Sequence, residues 1–505
     1  MVKLKVMLVN PPRVGGYPVV REERFEHRDM GSVYPPLSLL YMAAVLERDE
    51  RLEIRLVDAN GFNLSPNDVR AGIIKFSPDI VIARCGFDTQ KEDCAALAAA
   101  KDLGALIVLR NKIIAGTPHI RDALLKEGCA DVFIDSEPEA VLPGLMDAAC
   151  AEKQRIAAEP KPYACAFDGS RDRFFGLSFL EGVKGVSYYH NGAVVSTPSA
   201  PDTENIDSLP FPAYHLLPSL DVYHTGVMEP PFALVATTRG CPFGCTFCAY
   251  GKSKCRERSV ESVINELKIL KERHGIRSFL FFDDTISIKG GRVEELCRRM
   301  KEEGLDKLDW VCCTRANLLD FEMLKAMKGA GMKEIAIGIE TGSSEILKNI
   351  KKGVSLDDVR RAAKWCKELK IMFYGLAIIG LPGETKETVE ETVRFIKEID
   401  PFYTQLCFAV PFPNTDMYAY YDEKGLLLTR DWSKYSPLSD EPVIRTEALS
   451  ASELKKLRRS AYMSLLLRPA YLLKKVRIFD WRWNIKGIKK VLGRIWAVIT
   501  DKPVR

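Results

Sequence analysis

RGCPFGCTFC, residues 239–248, sets Cys241, Cys245 and Cys248 in a C-x3-C-x2-C spacing. By itself the stretch allows a metal site, half of a zinc site, a redox pair beside a bystander, or three thiols that merely lie close. A structural zinc takes four protein ligands, commonly as two pairs. The nearest further thiol is Cys255, followed by Arg256 and Arg258; it stays open as a fourth ligand, but nothing is paired with it. A [4Fe–4S] cluster held by three thiolates would leave one iron open to a non-protein ligand. An open iron is a catalytic arrangement.

The stretch follows a short apolar run, FALVATT, and five more such runs come after it: SFLFFDDT, DWVCCTRA, EIAIGIET, FYGLAIIGLPGE and FYTQLCFAVPFPNT. Helix-like segments such as SVESVINELKILKERHG and LDDVRRAAKWCKELK separate them. Six such βα units predict a curved parallel sheet, a partial (β/α)6 TIM barrel over 231–420, with reactive groups at the carboxyl ends of its strands. Residues 1–150 repeat the alternation with KVMLVNPP, EIRLVDAN, DIVIARCG, LIVLRNK and DVFIDSE. Continuous apolar runs of this length suit parallel strands buried on both faces. The expected fold there is a doubly wound, Rossmann-like α/β domain with its ligand outside the carboxyl strand ends. Those ends hold Asn10-Pro11-Pro12, Asp58, Cys85-Gly86-Phe87, Gly116-Thr117 and Glu137. Residues 151–230, rich in Pro, Ser and Asp toward their end, read as a linker, and 421–505 as a mostly helical basic region.

The 505 residues, 47% hydrophobic and 28% charged, are those of an ordinary globular chain with room for two to four domains. The N-terminal apolar run is too short for a signal peptide, and no run of 18 apolar residues suggests a membrane span. Fourteen cysteines without an export signal argue for a reducing cytosol and against a disulfide framework. The net charge of +5 is uneven: residues 455–505 hold 15 Lys and Arg against two acids, +13, leaving −8 on the rest. Ile485, Ile488, Leu492, Ile495 and Ile499 recur at helical steps there, with Arg and Lys between them. The reading is a docked helix with a solvated basic face, or a surface for an acidic protein or an anionic membrane. Nucleic acid is disfavoured for lack of a recognised module.

C-x3-C-x-aromatic-C after a first barrel strand, with Phe247 as the aromatic, resembles the radical S-adenosylmethionine (SAM) superfamily over roughly 232–415. The resemblance implies that Cys241, Cys245 and Cys248 hold a [4Fe–4S] cluster whose open iron is chelated by SAM. The reduced cluster then cleaves SAM to methionine and a 5′-deoxyadenosyl radical. It places Asp283 or Asp284 at the methionyl amino group, although the usual Gly-Gly-Glu is absent. It places Arg315 at the SAM carboxylate, Glu340 at the ribose, Ile378 and Gly380 along the adenine, and Tyr250 among the cofactor contacts. Asp283 or Asp284 could instead cap a helix.

A doubly wound domain ahead of such a core is similar to the cobalamin-binding radical SAM enzymes. The resemblance makes Asn10, Pro11, Asp58, Gly86, Gly116, Thr117 and Glu137 candidate corrinoid contacts. The loop that carries a cobalt-ligating His in many cobalamin domains reads DANGFN here, so cobalamin is expected without a protein His ligand. The implied activity is a cobalamin-dependent methyltransferase moving a methyl from SAM, through methylcobalamin, to an unactivated carbon. Its partners are SAM, a methyl acceptor and a reducing electron donor. Acceptors in the family include antibiotic precursors, lipids, tetrapyrroles and proteins, with Cα-methylation of a protein glutamine one candidate. The alternatives are a radical cyclase or oxidoreductase on a tetrapyrrole or lipid, and a non-catalytic iron–sulfur or corrinoid carrier.

Overall fold

The computed structural model describes residues 3–22, 26–28, 31–158 and 177–468. The five N-terminal apolar runs become strands β1 (Leu4–Asn10), β2 (Leu52–Asp58), β3 (Ile80–Arg84), β4 (Leu106–Arg110) and β5 (Val132–Ile134). They pair in parallel in the order 2-1-3-4-5. Successive side chains point to opposite faces. Leu4, Val6 and Leu8 join one apolar cluster with helices Leu37–Leu46 and Pro138–Ala158. Met7 and Val9 join another with helices Pro66–Phe76 and Pro118–Lys126. Cover on both faces is why these strands read as unbroken apolar runs rather than as alternation. The strand order reverses between β1 and β3, so a crevice opens beyond Asn10 and Arg84.

Part of the expected linker belongs to this sheet. VSYYHNGAVVS folds into an antiparallel hairpin, β6 (Val186–His190) and β7 (Ala193–Ser196), on the edge of β5. Its Asn191-Gly192 turn has φ of 49° and 84°, the left-handed pair that a two-residue hairpin requires.

The second sheet consists of β8 (Phe232–Val235), β9 (Ser278–Phe281), β10 (Asp309–Thr314), β11 (Met332–Glu340), β12 (Met372–Ile379) and β13 (Tyr403–Phe408). All pair in parallel in chain order, and β8 and β13 are not paired with each other, so the barrel stays open. Capping boxes at Ser355 and Thr385 start two of its outer helices. Helix Ala451–Leu466 closes over the β13 edge. There the Leu406 amide donates to Tyr462 Oη at 2.9 Å, and the Arg458 guanidinium lies 3.9 Å over Phe408. The expected basic helix around Ile485–Ile499 lies outside the described residues. Among them, no helix is long and apolar enough to cross a membrane.

Candidate functional site

From β8 the chain passes through Thr237 and Thr238 into the thiol loop. Arg239 and Arg256 face each other across a two-residue antiparallel ribbon, so the stretch between them is closed at its neck. Inside, Cys241 N donates to Ser253 Oγ at 3.0 Å, Ser253 N to Cys241 O at 2.9 Å, and Lys252 N to Phe243 O at 2.9 Å. Two glycines are needed for this winding. A Cβ on Gly240, whose φ is +91°, would meet Lys254 O at 2.3 Å, and one on Gly251 would meet Phe243 O at 2.5 Å. Cys245 is buried; Cys241 and Cys248 are half-buried. Among the described residues, no three His, Cys, Asp or Glu side chains converge as a single-ion site requires. A cubane binds each thiolate to a different iron, so it does not call for such convergence on one ion. At Cys255, burial first, then Glu257 and Asp283, push the thiol up to about 11.

The strand ends divide the expected SAM contacts. Asp283, 1% exposed, accepts from Thr237 N and Thr238 N at 2.6 Å each and from Thr237 Oγ1 at 2.8 Å. Burial raises its pKa while these bonds and Arg292 oppose the rise. With three short donors it anchors the entry to the thiol loop; half-buried Asp284 follows it.

Arg315 lies against the thiol loop itself. Its Nη1 donates to Cys245 Sγ at 3.4 Å, its Nη2 donates to the Lys352 carbonyl, and its guanidinium carbon lies 3.8 Å from the centre of the Phe243 ring. Its Nε is a buried donor with no acceptor among the described residues. Glu340 sits at a bulge where β11 slips against β12, with φ +60°; bulges of this kind re-aim a side chain. It pairs with Lys352 Nζ at 2.5 Å, both side chains 8% exposed. Lys352 also lies 5.8 Å over the motif aromatic Phe247. Lys352 and Phe243 were missed by sequence reading, because a Lys-Lys-Gly stretch between helices carries no chemical signature. Along β12, Tyr374, Leu376 and Ile378 are half-buried while the residues between them are buried. Just past the strand comes Gly380, φ +90°, whose amide donates to Glu384 Oε2 and whose carbonyl accepts from Tyr421.

In the first domain the candidates spend their polar atoms on protein. Asp58 accepts from Asn10 Nδ2 (2.7 Å), Gly61 N (2.8 Å) and Tyr223 Oη (2.6 Å). The Pro11 carbonyl accepts from Arg21, which forms a buried pair with Asp93 at 2.6 Å; Gly86 N donates to the same Asp93. Asn414, from the loop after β13, reaches the Gly116 carbonyl and lies 3.1 Å from Thr117 Oγ1. Glu137 forms a two-pronged pair with Arg256 (2.5 and 2.9 Å). Lys112 Nζ lies 5.4 Å over the Tyr250 ring. Asp58, Gly86 and Glu137 thus each have protein partners, as buried polar groups do. A further network was not foreseen: Glu26 accepts from both Asn111 Nδ2 (2.9 and 3.0 Å) and Phe87 N (3.2 Å), and burial pushes it up to about 7.

These contacts bring the carboxyl ends of both sheets face to face. Phe87, after β3, packs its ring 5.5 Å from Phe412, after β13. The site is therefore a three-thiol loop at the mouth of an open parallel barrel, covered by the ligand edge of a doubly wound domain. The radical SAM superfamily profile matches residues 235–396. An uncharacterized methyltransferase of Pyrococcus horikoshii is 32% identical over 481 residues, spanning 94% of this chain and 95% of its own. The anaerobic magnesium-protoporphyrin IX monomethyl ester cyclase of Cereibacter sphaeroides is 26% identical over 93% of this chain and 72% of its own. Among solved structures, the radical SAM methyltransferase TsrM of Kitasatospora setae, with cobalamin and a [4Fe–4S] cluster bound, superposes with a TM-score of 0.64 at 17% identity. The match covers 93% of this chain and 90% of that one. The chain belongs to the radical SAM superfamily and has the whole-chain fold of this cobalamin-bound member.

Proposed function

We propose that the chain is a cobalamin-dependent radical SAM methyltransferase. The observation that carries this reading is the thiol loop at the barrel mouth, set directly against the carboxyl-end loops of the doubly wound domain. When bound, a cluster with SAM supplies radical chemistry and a corrinoid supplies the methyl. The protein's part is to hold the two within reach of one substrate carbon and to keep water out, since proximity governs such transfers. Cys241, Cys245 and Cys248 would hold the cluster, with Arg315 against their loop, and Glu340, Asp284, Ile378 and Gly380 would take the remaining SAM contacts. The Arg315 Nε suits a carboxylate acceptor. The crevice beyond Asn10 and Gly86 is the topological position for the corrinoid. The reaction also calls for a low-potential electron donor, and the basic residues 455–505 suit an acidic protein surface.

A cyclase-named relative across most of the chain keeps radical ring formation as the second reading. Protein purified without oxygen and reconstituted with iron, sulfide and hydroxocobalamin separates the two. Iron near four and cobalt near one per chain, with label from methyl-deuterated SAM entering the product, supports methylation. Iron without cobalt, or 5′-deoxyadenosine without methyl transfer to any acceptor tested, overturns it.

A further inference from the structure

The neck of the thiol loop is held from outside the barrel. β5 leads into helix Pro138–Ala158, whose entry carries Glu137 and Glu139. Glu139 pairs with Arg239, where the loop begins, at 2.6 Å. Glu137 pairs with Arg256, where it ends, at 2.5 Å. Because Arg239 and Arg256 are opposite each other in the ribbon, the two carboxylates grip both sides of the same neck. All four side chains are at most 21% exposed. Arg239 also lies 5.0 Å over Tyr41 of the doubly wound domain, and Arg256 Nη1 donates to the Thr203 carbonyl at 2.9 Å. Carboxylates in the first turn of a helix are further favoured by its dipole. Charge pairs this sheltered are weakly screened by salt.

The ribbon already closes the loop at its neck. What the anchors add is a fixed distance between the thiols and the other domain. We propose that Glu137 and Glu139 are positioning residues that staple the cluster loop to the doubly wound domain and so couple SAM cleavage to transfer of the methyl. This rests on the methyltransferase reading. It predicts that loosening the staple leaves radical generation intact while transfer fails, because misplacement by about 1 Å can cost 10²-fold.

The test is Glu137→Gln with Glu139→Gln in the full chain, alone and combined. Three quantities are read: iron content with the cluster electron paramagnetic resonance signal, methylated product per 5′-deoxyadenosine, and amide hydrogen exchange across 239–257 in protein without cofactors. The expected result is normal iron and deoxyadenosine, a product ratio lower by about 10-fold or more, and faster exchange at the neck. Reversing one pair, Glu139→Arg with Arg239→Glu, should recover the ratio that either single reversal loses. An unchanged ratio with an intact cluster overturns the proposal, as does unchanged exchange in 239–257. If the unaltered protein makes deoxyadenosine but transfers no methyl, the functional reading falls, and the exchange experiment still decides whether the staple holds the loop.

Discussion

Glu384 offers the sharpest quantitative check on the barrel. It is 1% exposed at the end of GLPGE, accepts from Gly380 N and Leu381 N, and leaves Oε1 buried without a partner among the described residues. Burial pushes its pKa from 4.5 to about 8, with the two amide bonds opposing. The folded pKa lies above the unfolded one, so the folded state holds the extra proton. That contribution is complete below pH 4.5 and is lost as pH rises through 8. Between pH 6 and pH 9 the linkage relation gives a loss of about 2–3 kcal/mol from this group alone. Glu384→Gln replaces the neutral acid with a near-isostere that does not titrate and can still accept from both amides. In urea unfolding followed by tryptophan fluorescence, the stability of the variant relative to the unaltered protein should rise by about 2–3 kcal/mol from pH 6 to pH 9. Parallel curves would mean that Glu384 is already ionised in the native state, and the argument from burial would be wrong.

Other outcomes follow from single contacts. Arg315→Gln removes the donor to Cys245 Sγ; hydrogen bonds to cluster sulfurs raise the potential, so the midpoint in an electron paramagnetic resonance titration should fall with iron content unchanged. An unmoved midpoint would show that the contact does not persist once iron is bound. Gly338→Ala would bring a Cβ to 2.2 Å from Glu340 Oε1 and 2.8 Å from Lys352 Nζ. SAM affinity by equilibrium dialysis should weaken by about ten-fold or more, a loss of about 1.4 kcal/mol, and unaltered affinity would remove Glu340 from the site. Phe87, 1% exposed, touches the rings of Phe412, Trp432 and Tyr435. Phe87→Ala should cost about 3–5 kcal/mol in urea unfolding, whereas a loss under about 1 kcal/mol would mean that the domain junction repacks without it.

Both sheets were legible because their strands are buried on two faces, and continuous apolar runs such as DIVIAR and FALV have few other uses. The hairpin at 186–196 was not read, although Asn191-Gly192 stood in view, because the Pro- and Ser-rich stretch after it dominated the composition. The thiol loop was legible for a different reason. Its cysteines carry their meaning in their spacing, and its glycines in the backbone approach at Gly240 and Gly251. Asp283 was visible as an acid at a strand end, but sequence holds no record of which amides lie nearby. Three donors from Thr237 and Thr238 turn it into an anchor.

The same limit explains the first domain. A strand-end position marks where a ligand edge lies, but not whether a polar group there is already taken. Asp58 is claimed by Tyr223, 165 residues away, and Glu137 by Arg256, 119 away; neither partner is implied by any local pattern. The long-range pairs are also what converts two separately legible sheets into one site. That Glu137 and Glu139 take the two sides of one neck shows only when Arg239 and Arg256 are seen across the ribbon from each other. Once they are, the acids of one domain account for the geometry of the thiols in the other. The chemistry is written in three closely spaced cysteines, whereas the distance over which it must act is set by charges that only the folded chain brings together.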